Sequence, residues 1–202
     1  MSTIGNGSLS VEPDTVMIQL AIVTENEALQ VAQAENAETS SQVIQALINI
    51  GIPQDHIQTS GFTVNPIYDF VDGNQVLRGY QVEHSLSVES QALDQTGMII
   101  DTAVNNGVNQ VSSIQFSVQN KQEYYREALN RAVKDAIEKA KSIADTINLN
   151  LDAKPIKMDE VTSEQPIVYQ TFAMEKGSPT TPIQPGQIEI EATIRAQFQY
   201  FS

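Results

Sequence analysis

The sequence predicts an α+β fold in which antiparallel sheet packs against three helices, and three observations carry that expectation. Near the C-terminus Ile188, Ile190, Ala192, Ile194, Ala196, Phe198 and Tyr200 alternate with Gln187, Glu189, Glu191, Thr193, Arg195, Gln197 and Gln199, the period of a long, half-buried strand. Ahead of it, Ala128, Ala132, Ala136, Ala140 and Ala144 recur at steps of four beside Leu129, Val133 and Ile137, as on one side of a helix. The earlier part of the chain runs strand, helix, strand, strand, helix, strand, the order of a ferredoxin-like βαββαβ arrangement. At 202 residues the chain is long enough to bury a core without staples, as one ordinary domain or two small ones. We take it as a single domain, 1–202, with 1–119 as the βαββαβ region and 120–202 as the long helix and C-terminal strands.

The head, Gly5-Asn6-Gly7-Ser8-Leu9-Ser10-Val11-Glu12-Pro13-Asp14, opens with a short strand from about Ile4 to Val11. Pro13 cannot donate to a ladder and predicts a bend or edge before the next strand. From Thr15 to Thr24, Val16, Ile18, Leu20 and Ile22 fall on one face. Glu27 to Ile50 changes to helical spacing through Ala28, Val31, Ala32, Val43, Ile44, Leu47 and Ile48, and ends at Gly51 and Pro53. A strand resumes over Ile57 to Tyr68. Asp72-Gly73-Asn74 marks a turn, and Tyr80 to Glu89 returns with Val82, Leu86 and Val88 on the face of His84, so the pair reads as a hairpin with a mobile tip.

A second helix is expected from Leu93 to Asn106 and a strand from Val108 to Gln119. The junction Asn49-Ile50-Gly51-Ile52 before Ile57-Gln58-Thr59 parallels Asn106-Gly107-Val108-Asn109 before Ile114-Gln115-Phe116, which suggests a duplication. The third helix spans Gln122 to Ile147, and its alanine ridge permits close approach of a sheet or helix, either as core packing or as an oligomer contact. Leu151 to Val161 reads as a further strand, disturbed at Lys154-Pro155. Thr162 to Gly186 gathers Pro166, Pro179, Pro182, Pro185, Gly177 and Gly186 and reads as a long loop, mobile or functional. Its apolar members Ile167, Val168, Tyr169, Phe172 and Met174 are expected to pack on the body or on a neighbour, with a short extra strand as an option.

Charge narrows the partners. With 25 acidic and 11 basic residues the formal charge is −14, which repels phosphate backbones and anionic membrane surfaces. The cations between Lys121 and Lys141 are interleaved with Glu123, Glu127, Asp135 and Glu138, so pairs such as Glu127 with Arg131 and Asp135 with Lys139 predict a salt-bridged solvent face rather than a nucleic-acid site. The absence of cysteine excludes thiol nucleophiles, thiolate metal sites and internal disulfides. No apolar run approaches the ~20 residues of a membrane-spanning helix. Met1-Ser2-Thr3-Ile4 does not begin an export signal, although the chain would read the same as the mature part of a precursor.

Residues that carry chemistry are sparse. His56 and His84 are far apart and neither shares a metal-binding helix pattern with a carboxylate. Asp69-Phe70-Val71-Asp72-Gly73-Asn74 lacks EF-hand spacing, and a hairpin turn explains it more simply. Gly5-Asn6-Gly7 lacks the third glycine of a dinucleotide fingerprint and precedes no helix, and no Gly-x-Ser-x-Gly elbow occurs. Asp159 with Glu160 is what any acidic surface supplies, and Tyr124-Tyr125 reads as packing at a helix start. We therefore assign no catalytic, cofactor-binding or metal-binding residues.

The head motif, the Pro13-Asp14 step, the helix-Gly51-Ile52 junction before Ile57-Gln58-Thr59, Pro66-Ile67-Tyr68 with Gly79-Tyr80 after the hairpin, and the alanine-rich helix together resemble the SIMPL-domain family over nearly the whole chain. That resemblance implies an α+β fold and, for some members, ring- or channel-like homo-oligomers. Bacterial members are mostly exported or envelope-associated, some known as periplasmic immunogens and some linked to oxidative-stress tolerance; mammalian members associate with a signalling kinase. No established catalytic residues are implied. The absence of a leader departs from the usual bacterial pattern and leaves the location open.

The resulting expectation is a non-enzymatic, self-associating scaffold or interaction protein of the bacterial cell envelope or stress response. It would form a homo-oligomer, with a protein partner as an option, and engage neither cofactor, nucleic acid nor membrane span. The candidate interaction surface is Asp69, Phe70 and Asp72 on the hairpin with Tyr169, Phe172 and Met174 on the loop. A small-ligand binding protein and a metal-assisted hydrolase using Asp69, Asp72 or His56 are the rival readings.

Overall fold

A computed structural model describes residues 1–161, 169–170 and 181–201; for 169–170 it describes the backbone only. In chain order the elements are β1 (Ser2–Val11), β2 (Thr15–Asn26), α1 (Leu29–Asn49), β3 (Ile57–Val71), β4 (Asn74–Ser90), α2 (Thr96–Asn105), β5 (Gln110–Ser117), α3 (Lys121–Thr146), β6 (Asn150–Leu151), β7 (Lys157–Glu160), β8 (Tyr169–Gln170), β9 (Gln187–Gln197) and β10 (Tyr200–Phe201). The fold is α+β. Two compact units share these elements, one spanning 14–117 with 173–185, the other 1–13, 118–172 and 186–202.

The first unit is the expected βαββαβ arrangement. Its sheet runs β3-β4-β2-β5 with every pair antiparallel, so β2 and β4 lie at the centre. The apolar faces read from sequence supply its core: Val16, Ile18, Leu20 and Ile22 of β2 and Leu86 and Val88 of β4 bury against Val43 and Leu47 of α1 and Ile99 and Ala103 of α2. Ile183 packs onto this cluster, so the end of the Pro-rich stretch is docked here. Asn36 and Ser40 interrupt the apolar face of α1, yet both are buried, and the two Asn36 Nδ2 hydrogens are donated to the carbonyls of Ile22 at 2.9 Å and Val82 at 3.1 Å. Buried amides are tolerated when so paired.

The second unit explains the head motif. β1 pairs with β9 over its whole length, from Ser2 opposite Gln197 to Val11 opposite Ile188, so the first strand belongs with the C-terminal elements rather than with the βαββαβ region. α3 lies over this pair. Its alanines at 128, 132, 136, 140 and 144 are all buried, so the ridge is core packing. Gly5 and Gly7 face that ridge, and a Cβ at Gly5 would stand 2.7 Å from the Ala136 Cβ. Small residues on both elements let backbone meet backbone, and Thr3 Oγ1 donates to the Ala136 carbonyl at 2.9 Å across the seam.

Two strands differ from expectation. The run from Leu151 to Val161 is two pieces, β6 and β7, pairing with β10 and β9 respectively. The break falls where Asp152 Oδ1 accepts the Lys154 N–H at 3.0 Å in an Asx turn and Pro155 lacks a donor. The last strand likewise ends at Gln197, with Phe198 still buried and β10 resuming at Tyr200. The second helix begins at Thr96 because 93–95 form a tighter 3-10 turn.

Candidate functional site

The expected hairpin is laddered out to its tip, with a register shift between Ile67 and Tyr68. β3 and β4 stay paired out to Val71 opposite Asn74, leaving Asp72 and Gly73 as a two-residue turn. Both have positive φ, 51° and 79°, the geometry of a type I′ turn whose twist matches that of the flanking strands. Gly73 adopts this conformation without steric cost, and aspartate is among the few other residues that tolerate it.

Beyond β2 the hairpin becomes a two-stranded arm. β2 pairs with β4 only from Tyr80 to Ser90, so among the described residues the stretch Asn74–Gly79 has β3 as its partner and no other strand. At the base of the arm Glu25 receives Arg78 at 2.7 Å on one carboxylate oxygen and Gln81 Nε2 at 2.9 Å on the other. The cross-strand register puts Tyr68, Leu77, Phe70 and Gln75 on one face, and Asp69, Val76, Val71 and Asn74 on the other. Five large apolar side chains of the arm are exposed: Phe70 at 74%, with Tyr68, Val71, Val76 and Leu77 near half. An isolated hairpin is marginal in water, and exposed apolar clusters of this kind mark contact surfaces.

Asp69, Phe70 and Asp72 thus stand together at the arm's tip. Tyr169 contributes backbone to β8, opposite Ile188 of β9, while its side chain, Phe172 and Met174 lie outside the described residues. For the metal reading, Asp72 and His56 are separate candidates. His56 precedes the first residue of β3 and Asp72 follows its last, and at about 3.3 Å per strand residue the fifteen residues between them span far more than a coordination shell. Among the described residues no three His, Asp or Glu side chains cluster as metal ligands.

Sequence reading missed a polar chain under the sheet. His84 receives a contact on each ring nitrogen, Nδ1 to Ser40 Oγ and Nε2 to Thr59 Oγ1, both at 2.9 Å, and Ser40 continues to Asn36 Oδ1 at 3.4 Å. The Phe62 ring meets the imidazole edge to face, with centroids 5.7 Å apart. Burial lowers the His84 pKa from its usual value by disfavouring the charged ring. Asn36 and Ser40 fall at the i, i+4 spacing of the buried face of α1, which is the signal that would have found them. The chain locks α1 onto β3 and β4.

In the other unit the expected ion pairs are present, Arg131 with Glu127 at 3.3 Å and Lys139 with Asp135 at 2.6 Å. They do more than solvate a face. Arg131 Nη1 donates to the Ser8 carbonyl at 2.9 Å, Lys139 Nζ to the Ile4 carbonyl at 3.1 Å, and Asp135 Oδ2 accepts the Asn6 N–H at 2.8 Å. Ile4, Asn6 and Ser8 alternate along β1, so these are the backbone groups turned away from β9. The bond from Lys139, aided by that from Asn6, holds the Asp135 pKa below its usual value. At the start of α3 the Tyr125 hydroxyl donates to Glu160 at 2.6 Å, and that bond raises the Tyr125 pKa.

Comparison with known proteins finds relatives over most of the chain. The 26 kDa periplasmic immunogenic protein of Brucella melitensis is 28% identical over 206 residues, covering 96% of this chain and 82% of that protein. The same-named protein of Brucella abortus matches to the same extent. The uncharacterized protein YggE of Escherichia coli K12 is 27% identical over 151 residues, covering 74% of this chain and 61% of its own length. A family model described as SIMPL, protein of unknown function (DUF541), matches residues 1–198, and the chain therefore belongs to the SIMPL family.

Proposed function

We propose that the protein is a non-catalytic, self-associating member of its family, acting as an oligomeric scaffold or interaction protein, with the arm of β3 and β4 as its contact element. The observation that carries this reading is the exposure of Tyr68, Phe70, Val71, Val76 and Leu77 on a two-stranded projection with no third strand beside it among the described residues. Association would bury that surface, and since four of the five side chains are already about half covered, each of those would contribute about half of the ~1.5–3 kcal/mol of a full burial. Asp69 and Asp72 flank the apolar face and suit a polar rim. The Pro-rich stretch 162–186, with Tyr169, Phe172 and Met174, is proposed as a second contact.

A place outside the cytoplasm, in the bacterial envelope, belongs to the same proposal and draws on the periplasmic name of the Brucella relatives. No helix among the described residues is long and apolar enough to cross a membrane.

The test is solution mass by light scattering coupled to size exclusion, for the native chain, for Phe70→Ser with Leu77→Ser, and for a chain shortened within 162–180. A defined oligomer that dissociates in the arm variant supports the reading. A monodisperse monomer at high micromolar concentration overturns it and turns attention to ligand binding, read by thermal stabilisation.

A further inference from the structure

The two long outer strands described above are treated differently by the fold. The outer groups of β1 are engaged by Arg131, Asp135 and Lys139, as set out above. β3, at the edge of the other unit's sheet, pairs with β4 alone among the described residues. Among the described residues, no side chain or loop bonds to the outer backbone groups of Gly61–Asn65.

This five-residue window has sharp ends. The β3–β4 register shifts between Thr59 and Gly61, where Ser60 bulges out, and Pro66 has no N–H to offer. Within the window the backbone is regular and the side chains are uncharged. The neutral run extends from Ile57 to Tyr68 without a single Asp, Glu, Lys or Arg, in a chain of formal charge −14. Most of such a surface repels a second copy of itself; this edge does not. Natural edge strands are usually blunted by charge, as β1 is here. Phe62, 54% exposed, stands next to Thr63 at the centre of this edge.

We propose that Gly61–Asn65 pairs antiparallel with the same segment of a second copy of this chain, with Thr63 facing Thr63 across a two-fold axis. The inference rests on the self-association reading and specifies one interface of it. A two-fold axis brings identical patches together, and the register that keeps all five residues paired sets Phe62 opposite Val64 and Gly61 opposite Asn65 of the second copy. Phe62 and Val64 share the face of His84 and Val82, so the exposed Phe62 ring is covered by Val64 across the axis.

The absence of native cysteine makes the test clean. In an antiparallel pair, directly opposed residues have Cα atoms about 4.5–5.5 Å apart, within disulfide reach. Thr63→Cys should therefore cross-link under mild oxidation, whereas Asn65→Cys, displaced four residues from its own image, should lag by roughly tenfold or more. Thr63→Lys places like charges on the axis and should weaken association by about tenfold at low salt, with partial recovery at high salt. Thr63 is exposed, and circular dichroism checks that each variant folds.

If the native chain associates while Thr63→Lys leaves its mass unchanged, this interface is wrong and the self-association reading stands. Dissociation by Thr63→Lys without preferential cross-linking of Thr63→Cys rejects the two-fold register. A monomeric native chain overturns both readings, and capture of an extended peptide by that monomer would assign the edge to a foreign strand instead.

Discussion

Gly5 of β1 lies against Ala136 of α3 so closely that a Cβ on Gly5 would stand 2.7 Å from the Ala136 Cβ and nearer still to the Ala132 carbonyl oxygen. Gly7 repeats the relationship one turn away, where a Cβ would stand 2.8 Å from the Arg131 Cβ. The Gly-Asn-Gly head is thus a seat for a helix, with Asn6 between the glycines giving its N–H to Asp135.

Gly5→Ala is expected to destabilise the protein by at least ~1–3 kcal/mol, the usual cost of overpacking, because the obstructing atoms are backbone and a helical Cβ rather than a flexible side-chain end. Gly61→Ala is the control: its new Cβ meets only Ser85, at 3.6 Å and beyond. Chemical denaturation of the two variants checks this, and equal losses would refute the seat.

Much of this was legible before the structure. The alternation in β9, the alanine ridge of α3 and the order of elements between Thr15 and Ser117 each follow from a period that one buried face imposes. The pairing of β1 with β9 was not, because it joins residues almost two hundred positions apart and no local pattern encodes a partner. The arm was half legible: Asp72-Gly73 gave the turn, but the exposed, mixed residues from Asp69 to Arg78 lack the alternation of a half-buried strand. The His84 chain escaped notice because Ser40 and Thr59 are ordinary residues until folding places a ring between them.

His84 should make stability depend on pH in a known direction. Its folded pKa lies below the ordinary 6.5, so the unfolded chain binds the proton more tightly. The contribution is fully present above about 6.5 and is lost as pH falls from there towards the folded value. Denaturant unfolding between pH 5 and 8 should show a slope of less than one proton, flattened in His84→Gln, and NMR titration of the ring should give a midpoint below that of a free histidine. A midpoint at or above 6.5 would contradict the buried placement.

Asp101 anchors the end of the Pro-rich stretch. It accepts from Thr181 Oγ1 at 2.6 Å and from the Thr181 N–H at 3.1 Å, and these bonds, the hydroxyl's first, lower its pKa. A lowered carboxylate contributes above its unfolded value and is lost as pH falls through the folded one, so the clasp should weaken only below about pH 4. Asp101→Asn should speed exchange of the Thr181 amide several-fold with little change in global stability, since solvent screens contacts as exposed as these. Gly97→Ala should act more strongly, because its Cβ would press on the Thr181 carbonyl. Unchanged exchange in both variants would mean that Ile183 alone holds the segment on the core.

The side chains over β1 make a sharper claim, because their effect should exceed their energies. Arg131 and Lys139 are near half exposed, and exposed pairs are each worth about 0.2–1 kcal/mol, so replacing Arg131, Asp135 and Lys139 together by alanine should lower stability only modestly. The same replacement strips the outer groups of Ile4, Asn6 and Ser8 of their partners and leaves a ten-residue strand with an open edge. Open edges recruit other strands. The triple variant should therefore scatter light and bind thioflavin T on incubation under conditions where the native chain stays clear. Adding Asn6→Pro removes the outward N–H and should suppress that aggregation without restoring stability, separating edge pairing from general unfolding. A soluble triple variant with the same modest loss of stability would show the three side chains to be surface ion pairs and nothing more. For Asp135 the sign matches Asp101: its lowered pKa means the bonds to Lys139 and Asn6 fail only in acid, so native aggregation should begin below about pH 4 and not near neutrality.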